Sequence, residues 1–170
     1  PIHLGSVNDR LFVMMAGIGF DAKVVATVSS PMKRLLGKAA FVLVSFRGLF
    51  AFSSETYRVT VDGRPYSAAS VVVANGHFYG GRFTCAPLAR LENPVLYACL
   101  FLKPGPWQAF RYCAGLVLGR LDRLEDVVVE PAARIVVEGV LGEPIQADGE
   151  ITGEAPMTVS LADGILPLLM

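Results

Sequence analysis

Residues Val71–Leu91, VVVANGHFYGGRFTCAPLARL, constrain the fold more than any other part of the chain. An apolar, β-branched run stops at Asn75-Gly76, a Gly80-Gly81 pair follows, and Ala86-Pro87 ends the excursion. A strand that feeds a glycine-rich loop with a proline-stiffened return lets a rigid sheet present backbone groups to a ligand. The loop holds no obvious nucleophile, so any chemistry there needs partners from other segments. His77 reads as a surface loop residue.

The same strand-and-turn grammar runs through most of the chain. Leu11–Ala16 reads as a buried strand entering Gly17-Ile18-Gly19. Tyr57, Val59 and Val61 alternate with Arg58 and Thr60, Asp62-Gly63 signals a two-residue hairpin, and Tyr66–Ala74 is the return strand. Val95–Leu102, Asp126–Glu130, Arg134–Glu138, Ile145–Asp148, Met157–Leu161 and Ile165–Leu169 follow as short strands between turns. Helical stretches are fewer: Asp21–Ser29, Met32 to about Phe50 with Pro31 at its start, and Pro106–Gly119. Many short strands with few helices predict a mainly β chain with helical insertions, an antiparallel β-sandwich and not alternating βαβ units.

The 170 residues fit one domain, 1–170, with room for a proper core. A hydrophobic share of 53% against 18% charged residues excludes disorder. The longest charge-free apolar runs, such as Ala39–Phe46, are too short to cross a bilayer, which needs roughly 18–20 residues. Three widely spaced cysteines (Cys85, Cys99, Cys113) and two histidines argue against a disulfide framework or a structural zinc site. A cytoplasmic setting is the expectation. Pro1–Arg10 shows no signal-peptide pattern, and a chain that opens on Pro1 reads equally as a piece of something longer.

Charge is balanced overall but not along the chain. Residues 1–90 carry ten Lys/Arg against four Asp/Glu, and residues 91–170 carry five against eleven. Solvated faces explain most of this. The cluster Lys33, Arg34, Lys38 and Arg47 also suits an anionic membrane surface or phosphate. Nucleic acid is not an expected partner, because basic residues are not interleaved with aromatics and the pI is about 7.2.

Three segments offer chemistry. Gly17-Ile18-Gly19-Phe20-Asp21-Ala22 matches a dinucleotide fingerprint, but no acidic residue stands between Asp21 and Glu55 to hold a ribose. A tight strand-to-helix turn is the better reading, and a plain dinucleotide-binding domain ranks last among the functions considered. Asn75, Gly76, Gly80 and Gly81 suit a turn, while the loop's length and its paired glycines favour a ligand-facing loop. Asp148-Gly149-Glu150 ends the strand Ile145–Ala147. Residues two apart in extended backbone project from one face, so two carboxylates can divide labour, one orienting a cation and one accepting a proton from an attacking alcohol. Judged alone, an Asp-Gly turn with solvated acids is the better reading of these residues.

Context shifts that balance. AGIGFDA (Ala16–Ala22), YRVTVDG (Tyr57–Gly63), VVVANGHFYGG (Val71–Gly81), the stretch Ala86–Leu91 and ADGE (Ala147–Glu150) occur together in an order that resembles the C-terminal domain of the bacterial diacylglycerol kinase and sphingosine-kinase-like lipid kinases, related in fold to NAD kinases. The resemblance implies a β-sandwich that closes the active site of a two-domain enzyme. The ATP-phosphate loop belongs to the other domain and has no counterpart here, so the isolated chain is expected to be inactive. It further implies Glu150 as general base toward a lipid hydroxyl, Asp148 near metal and phosphates, and Asp21, Asn75, Gly76, Gly80 and Gly81 lining the cleft. ATP and Mg²⁺ are the implied cofactors, the lipid is the implied substrate, and peripheral membrane contact and a homodimer are the further expectations. A small-molecule kinase of the NAD-kinase type and a non-catalytic lipid-binding module are the alternatives.

One stretch departs from the family pattern. Relatives usually follow the alanine-proline return with Lys-Leu-Asp-Asp-Gly-Leu, part of which holds a structural Mg²⁺ through a carboxylate and backbone carbonyls. Here the run is Arg90-Leu91-Glu92-Asn93-Pro94-Val95. Asn93 replaces the liganding acid and removes a negative charge that hard cations depend on. The carbonyls of Arg90 and Val95 remain as implied ligands. Arg82 also stands where relatives often carry a third glycine.

Overall fold

Alternating burial on one strand and unbroken burial on another set the architecture. The computed structural model describes residues 1–19, 56–79, 83–139 and 141–167. In β4 (Tyr57–Val61) the odd-numbered residues are buried and Arg58 is exposed, as expected for a strand with one wet face. In β6 (Ser70–Ala74) every residue is buried, because its sheet is covered on both sides.

Two six-stranded antiparallel sheets result. The first runs β2 (Arg10–Phe12), β1 (Gly5–Val7), β14 (Met157–Leu161), β11 (Arg134–Glu138), β4 and β5 (Arg64–Ala68). The second runs β10 (Val127–Ala132), β9 (Leu96–Phe101), β6, β3 (Met15–Ile18), β12 (Pro144–Ala147) and β13 (Glu150–Glu154). The expected antiparallel β-sandwich is what the chain forms. β7 (Phe78–Tyr79) and β8 (Phe83–Thr84) pair antiparallel as a separate two-stranded sheet.

The core lies between the sheets, where Val59, Ile135, Met157 and Val159 meet Ile18, Val71, Val73, Leu100 and Ile145. Truncating any of the larger of these costs about 2–5 kcal/mol. On its outer face the second sheet packs Val72, Ala74, Cys99 and Val127 against Ala86, Ala89 and helix α1 (Pro106–Val117). Helix α1 is tied down where buried Asp126 accepts from Arg111 (3.1 Å) and from the Tyr112 hydroxyl (3.1 Å). Burial above all, with the Asp126 carboxylate adding to it, pushes the Tyr112 hydroxyl up to about 12, and its hydrogen bond with Lys103 works the other way.

Two predicted strands are each two strands in different sheets. Leu11–Ala16 splits at Val13-Met14, with β2 in the first sheet and β3 in the second. Tyr66–Ala74 splits at Ala69 in the same way, between β5 and β6. Such crossings make the corners of a sandwich. Gly17 is not in a turn either: it sits within β3, paired with Val72 and Gln146. Gly19, just past the strand, has a left-handed backbone, and a Cβ there would meet the Ala69 carbonyl oxygen at 2.8 Å.

Asp126–Glu130 is displaced to Val127–Ala132, an edge strand that tolerates Pro131. Ile165–Leu169 forms no strand within its described part, only a bridge from Leu166 to Ile2. The short strands β1 and β13 are additions to the sequence-based scheme. The expected helices over 21–29 and 32–50, with Lys33, Arg34, Lys38 and Arg47, lie outside the described residues. Among the described residues no helix is long and apolar enough to cross a membrane.

Candidate functional site

The corner at Val13-Met14 brings distant segments together. Its backbone has no neighbouring strand to complete its ladder, and side chains take over. The Asp148 carboxylate accepts from the backbone N–H of Val13 (2.7 Å), Met14 (2.8 Å) and Met15 (3.0 Å). On the other flank, the Asn75 side-chain amide donates to the carbonyls of Val13 and His3, both at 2.8 Å. The backbone N–H groups of Asn75 and Gly76 both donate to the Met14 carbonyl (2.9 and 3.0 Å). A Cβ on Gly76 would lie 2.5 Å from the Met14 Cε, the free end of a flexible side chain that would have to shift to admit it.

Asp148 holds a left-handed backbone (φ 49°), as does Gly149 (φ 85°). The pair forms the two-residue turn between β12 and β13, as the Asp-Gly dipeptide favours. The Asp148 N–H donates to the Met15 carbonyl (2.9 Å), and the Gly149 N–H donates to Gln146 Oε1 (3.0 Å). Gln146 is fully buried and was not singled out in the sequence. An amide inside a short strand carries no signal of its partner until the register is known.

Glu150 opens β13 directly after this turn, and its side chain is exposed. Register places it opposite Ala147, which pairs with Ala16, which pairs with Val73. That row puts Glu150 on the same face of the sheet as Val73, and Asn75 follows just past the end of β6. Three strand spacings, about 14 Å, separate Glu150 from Val73, and Asn75 lies two residues further along, so Glu150 and Asn75 flank a stretch of sheet end and do not touch. Asn75 Oδ1 is one of two described buried side-chain atoms without a hydrogen-bond partner, the other being Glu130 Oε1. Asp21, Gly80 and Gly81 lie outside the described residues.

The segment carrying Arg90, Asn93 and Val95 is a closed turn. Asn93 N–H donates to the Arg90 carbonyl (3.0 Å), and Val95 N–H donates to the Asn93 carbonyl (2.8 Å). The Arg90 guanidinium folds back onto the carbonyls of Pro87 (2.9 Å) and Ala89 (2.7 Å) and onto His77 Nδ1 (3.0 Å). Arg90 therefore staples the start of the glycine loop to the alanine-proline return. The three implied ligands are neutral oxygens beside a cation, with Arg90's carbonyl already in a hydrogen bond. That donor set does not fit a tightly held Mg²⁺. Among the described residues no group of three or more His, Cys, Asp or Glu side chains is arranged to hold a metal ion.

A double-sheet antiparallel sandwich with an Asp-Gly-Glu turn clamped beside an Asn-Gly strand end defines the class of domain. Residues 14–170 match the YegS C-terminal NAD kinase beta sandwich-like domain, and the chain belongs to that family. Among its relatives, a protein of Pseudomonas aeruginosa (strain UCBPP-PA14) named probable lipid kinase YegS-like is 28% identical over 98% of this chain and 55% of its own length. A diacylglycerol kinase of Bacillus subtilis (strain 168) is 26% identical over 92% of this chain and 52% of its own length. A crystal structure of a diacylglycerol kinase from Bacillus anthracis strain Sterne covers 95% of this chain and 53% of that one, at 25% identity and a TM-score of 0.67. The chain spans about half the length of the relatives it matches.

Proposed function

We propose that this chain is the sandwich domain of an ATP-dependent lipid kinase that phosphorylates a hydroxyl of a diacylglycerol-like or sphingoid-like lipid. Glu150 is the general base. Its carboxylate takes the proton of the lipid hydroxyl as that oxygen forms a bond to the γ-phosphorus, and the bond from that phosphorus to the β,γ-bridging oxygen breaks to release ADP. ATP supplies the phosphoryl group and Mg²⁺ neutralises its developing charge. Both are held mainly by a separate nucleotide-binding domain, so the isolated sandwich has no kinase activity. Asp148, whose oxygens are engaged with three N–H groups, acts by fixing the turn that carries Glu150.

The observation that carries the reading is Glu150 itself. It is an exposed carboxylate following an anchored turn, at a sheet end shared with Asn75, in a chain whose relatives are named lipid and diacylglycerol kinases. In the complete polypeptide, Glu150→Gln keeps the size and removes the basicity. Phosphoryl transfer from ATP to short-chain diacylglycerol in mixed micelles should fall about a hundredfold or more. Undiminished turnover would refute the base assignment.

The fold relation to NAD kinases in the family's name supports a second reading, in which the acceptor hydroxyl belongs to a nucleotide. Thermal stabilisation by NAD but not by short-chain diacylglycerol would favour it. The neutral turn at Arg90–Val95 gives weight to a third, a non-catalytic lipid-binding module, for which binding would persist without Mg²⁺ and without turnover.

A further inference from the structure

We propose that Gln146 is a positioning residue for Glu150, acting through the amide of Gly149; this rests on the proposed role of Glu150 as base. Ile145 and Ala147 point into the sandwich, so Gln146, between them on β12, points to the other face of the sheet. It is buried there to 1% exposure. Its Oε1 accepts the Gly149 N–H at 3.0 Å.

That N–H is the second donor of a two-residue turn, the one a hairpin of this kind ordinarily leaves to water. The first donor, Asp148 N–H, is taken by the Met15 carbonyl. With both turn amides engaged and the Asp148 carboxylate bonded to Val13–Met15, the two peptide groups just before the one that enters Glu150 are held in place. A bulge follows at once: Ile145 pairs with Gly153 and Gln146 with Ile151, leaving Thr152 as the extra residue on β13. Bulges re-aim the strand next to a site, and Gln146 sits at the shift. A base must hold its oxygen within hydrogen-bond reach of the hydroxyl it deprotonates, and a misplacement of about 1 Å costs up to about a hundredfold in rate. Gln146 holds the backbone from which that oxygen hangs.

The test uses the complete polypeptide with ATP, Mg²⁺ and short-chain diacylglycerol in mixed micelles. Gln146→Leu should lower kcat about tenfold while both KM values stay within twofold. Amide exchange at Gly149, read by mass spectrometry of the 144–154 peptide, should accelerate. In the Glu150→Gln background the same substitution should cause no further loss, because a residue acting only through Glu150 has nothing left to position. Val137→Ala, in the core of the first sheet, should lower stability and leave kcat alone.

A loss that multiplies with that of Glu150→Gln, or an unaltered kcat, overturns the assignment. If Glu150→Gln alone spares turnover, the proposed function fails first, which is a separate result. Should Gln146→Leu not fold, Gln146→Met, of similar length and without the acceptor, is read in the same way.

Discussion

The chain uses one device twice, in two turns that differ in what they carry. Asp62-Gly63 and Asp148-Gly149 have nearly the same backbone, φ 46° and 84° against 49° and 85°. Each Asp donates its N–H to the carbonyl of the first residue of a neighbouring strand, Arg134 for β11 and Met15 for β3. Each carboxylate accepts from successive backbone N–H groups there: Ala133 and Arg134 in one case, Val13, Met14 and Met15 in the other. The clamp is thus a building method of this sandwich and no mark of chemistry by itself. What distinguishes the second turn is its surroundings. Gln146 occupies the Gly149 amide, whereas Thr60 stands at the matching place and no side chain bonds the Gly63 amide among the described residues. Asn75 grips the same corner from the far side. The residue after the glycine is Glu150 in one turn and Arg64 in the other.

Activity should separate the turns most strongly. Asp148→Ala in the complete polypeptide should reduce kcat more than tenfold, and Asp62→Ala should leave it within twofold, measured with ATP and short-chain diacylglycerol. Equal losses would mean that both turns matter only for folding. Stability should separate them less. Urea unfolding should show Asp148→Ala costing about 3 kcal/mol and Asp62→Ala about 2 kcal/mol, since one carboxylate serves three N–H groups and the other two. A null effect at Asp62 would break the equivalence.

Asn75→Ala, which strands two carbonyls at one corner only, should cost about 2 kcal/mol. Its penalty should fall below the sum when combined with Asp148→Ala, because both hold Val13-Met14. The smallest effect belongs to the glycines. An added Cβ at Gly63 or Gly149 meets nothing within 4 Å, so Gly→Ala at either should cost about 1 kcal/mol, from left-handed backbone alone. A clearly larger cost at Gly149 would point to a contact absent at Gly63.

Much of this was legible in the sequence. The period-two pattern of Tyr57–Val61 with Asp62-Gly63 gives a hairpin, and the helix at Pro106 begins where proline favours it. What stayed hidden depends on partners far along the chain. Nothing in LFVMMA says that its middle peptides bond to a carboxylate some 130 residues away, so Leu11–Ala16 reads as one strand when it is two. Tyr66–Ala74 conceals its crossing for the same reason. Asn75, Asp148 and Glu150 attract notice because Asn-Gly and Asp-Gly have local meanings. Gln146 has none, since its role exists only once the register and the turn are both in place.

Because Val13-Met14 carries the backbone from one sheet to the other, the family match beginning at residue 14 starts inside that crossing. A fragment cut there would shed the pair of strands that shields β14, together with Phe12 and Val7, both about 1% exposed. The bared rim of β14 would then be free to recruit a second molecule by edge-to-edge pairing, so a shortened version is a recipe for aggregates.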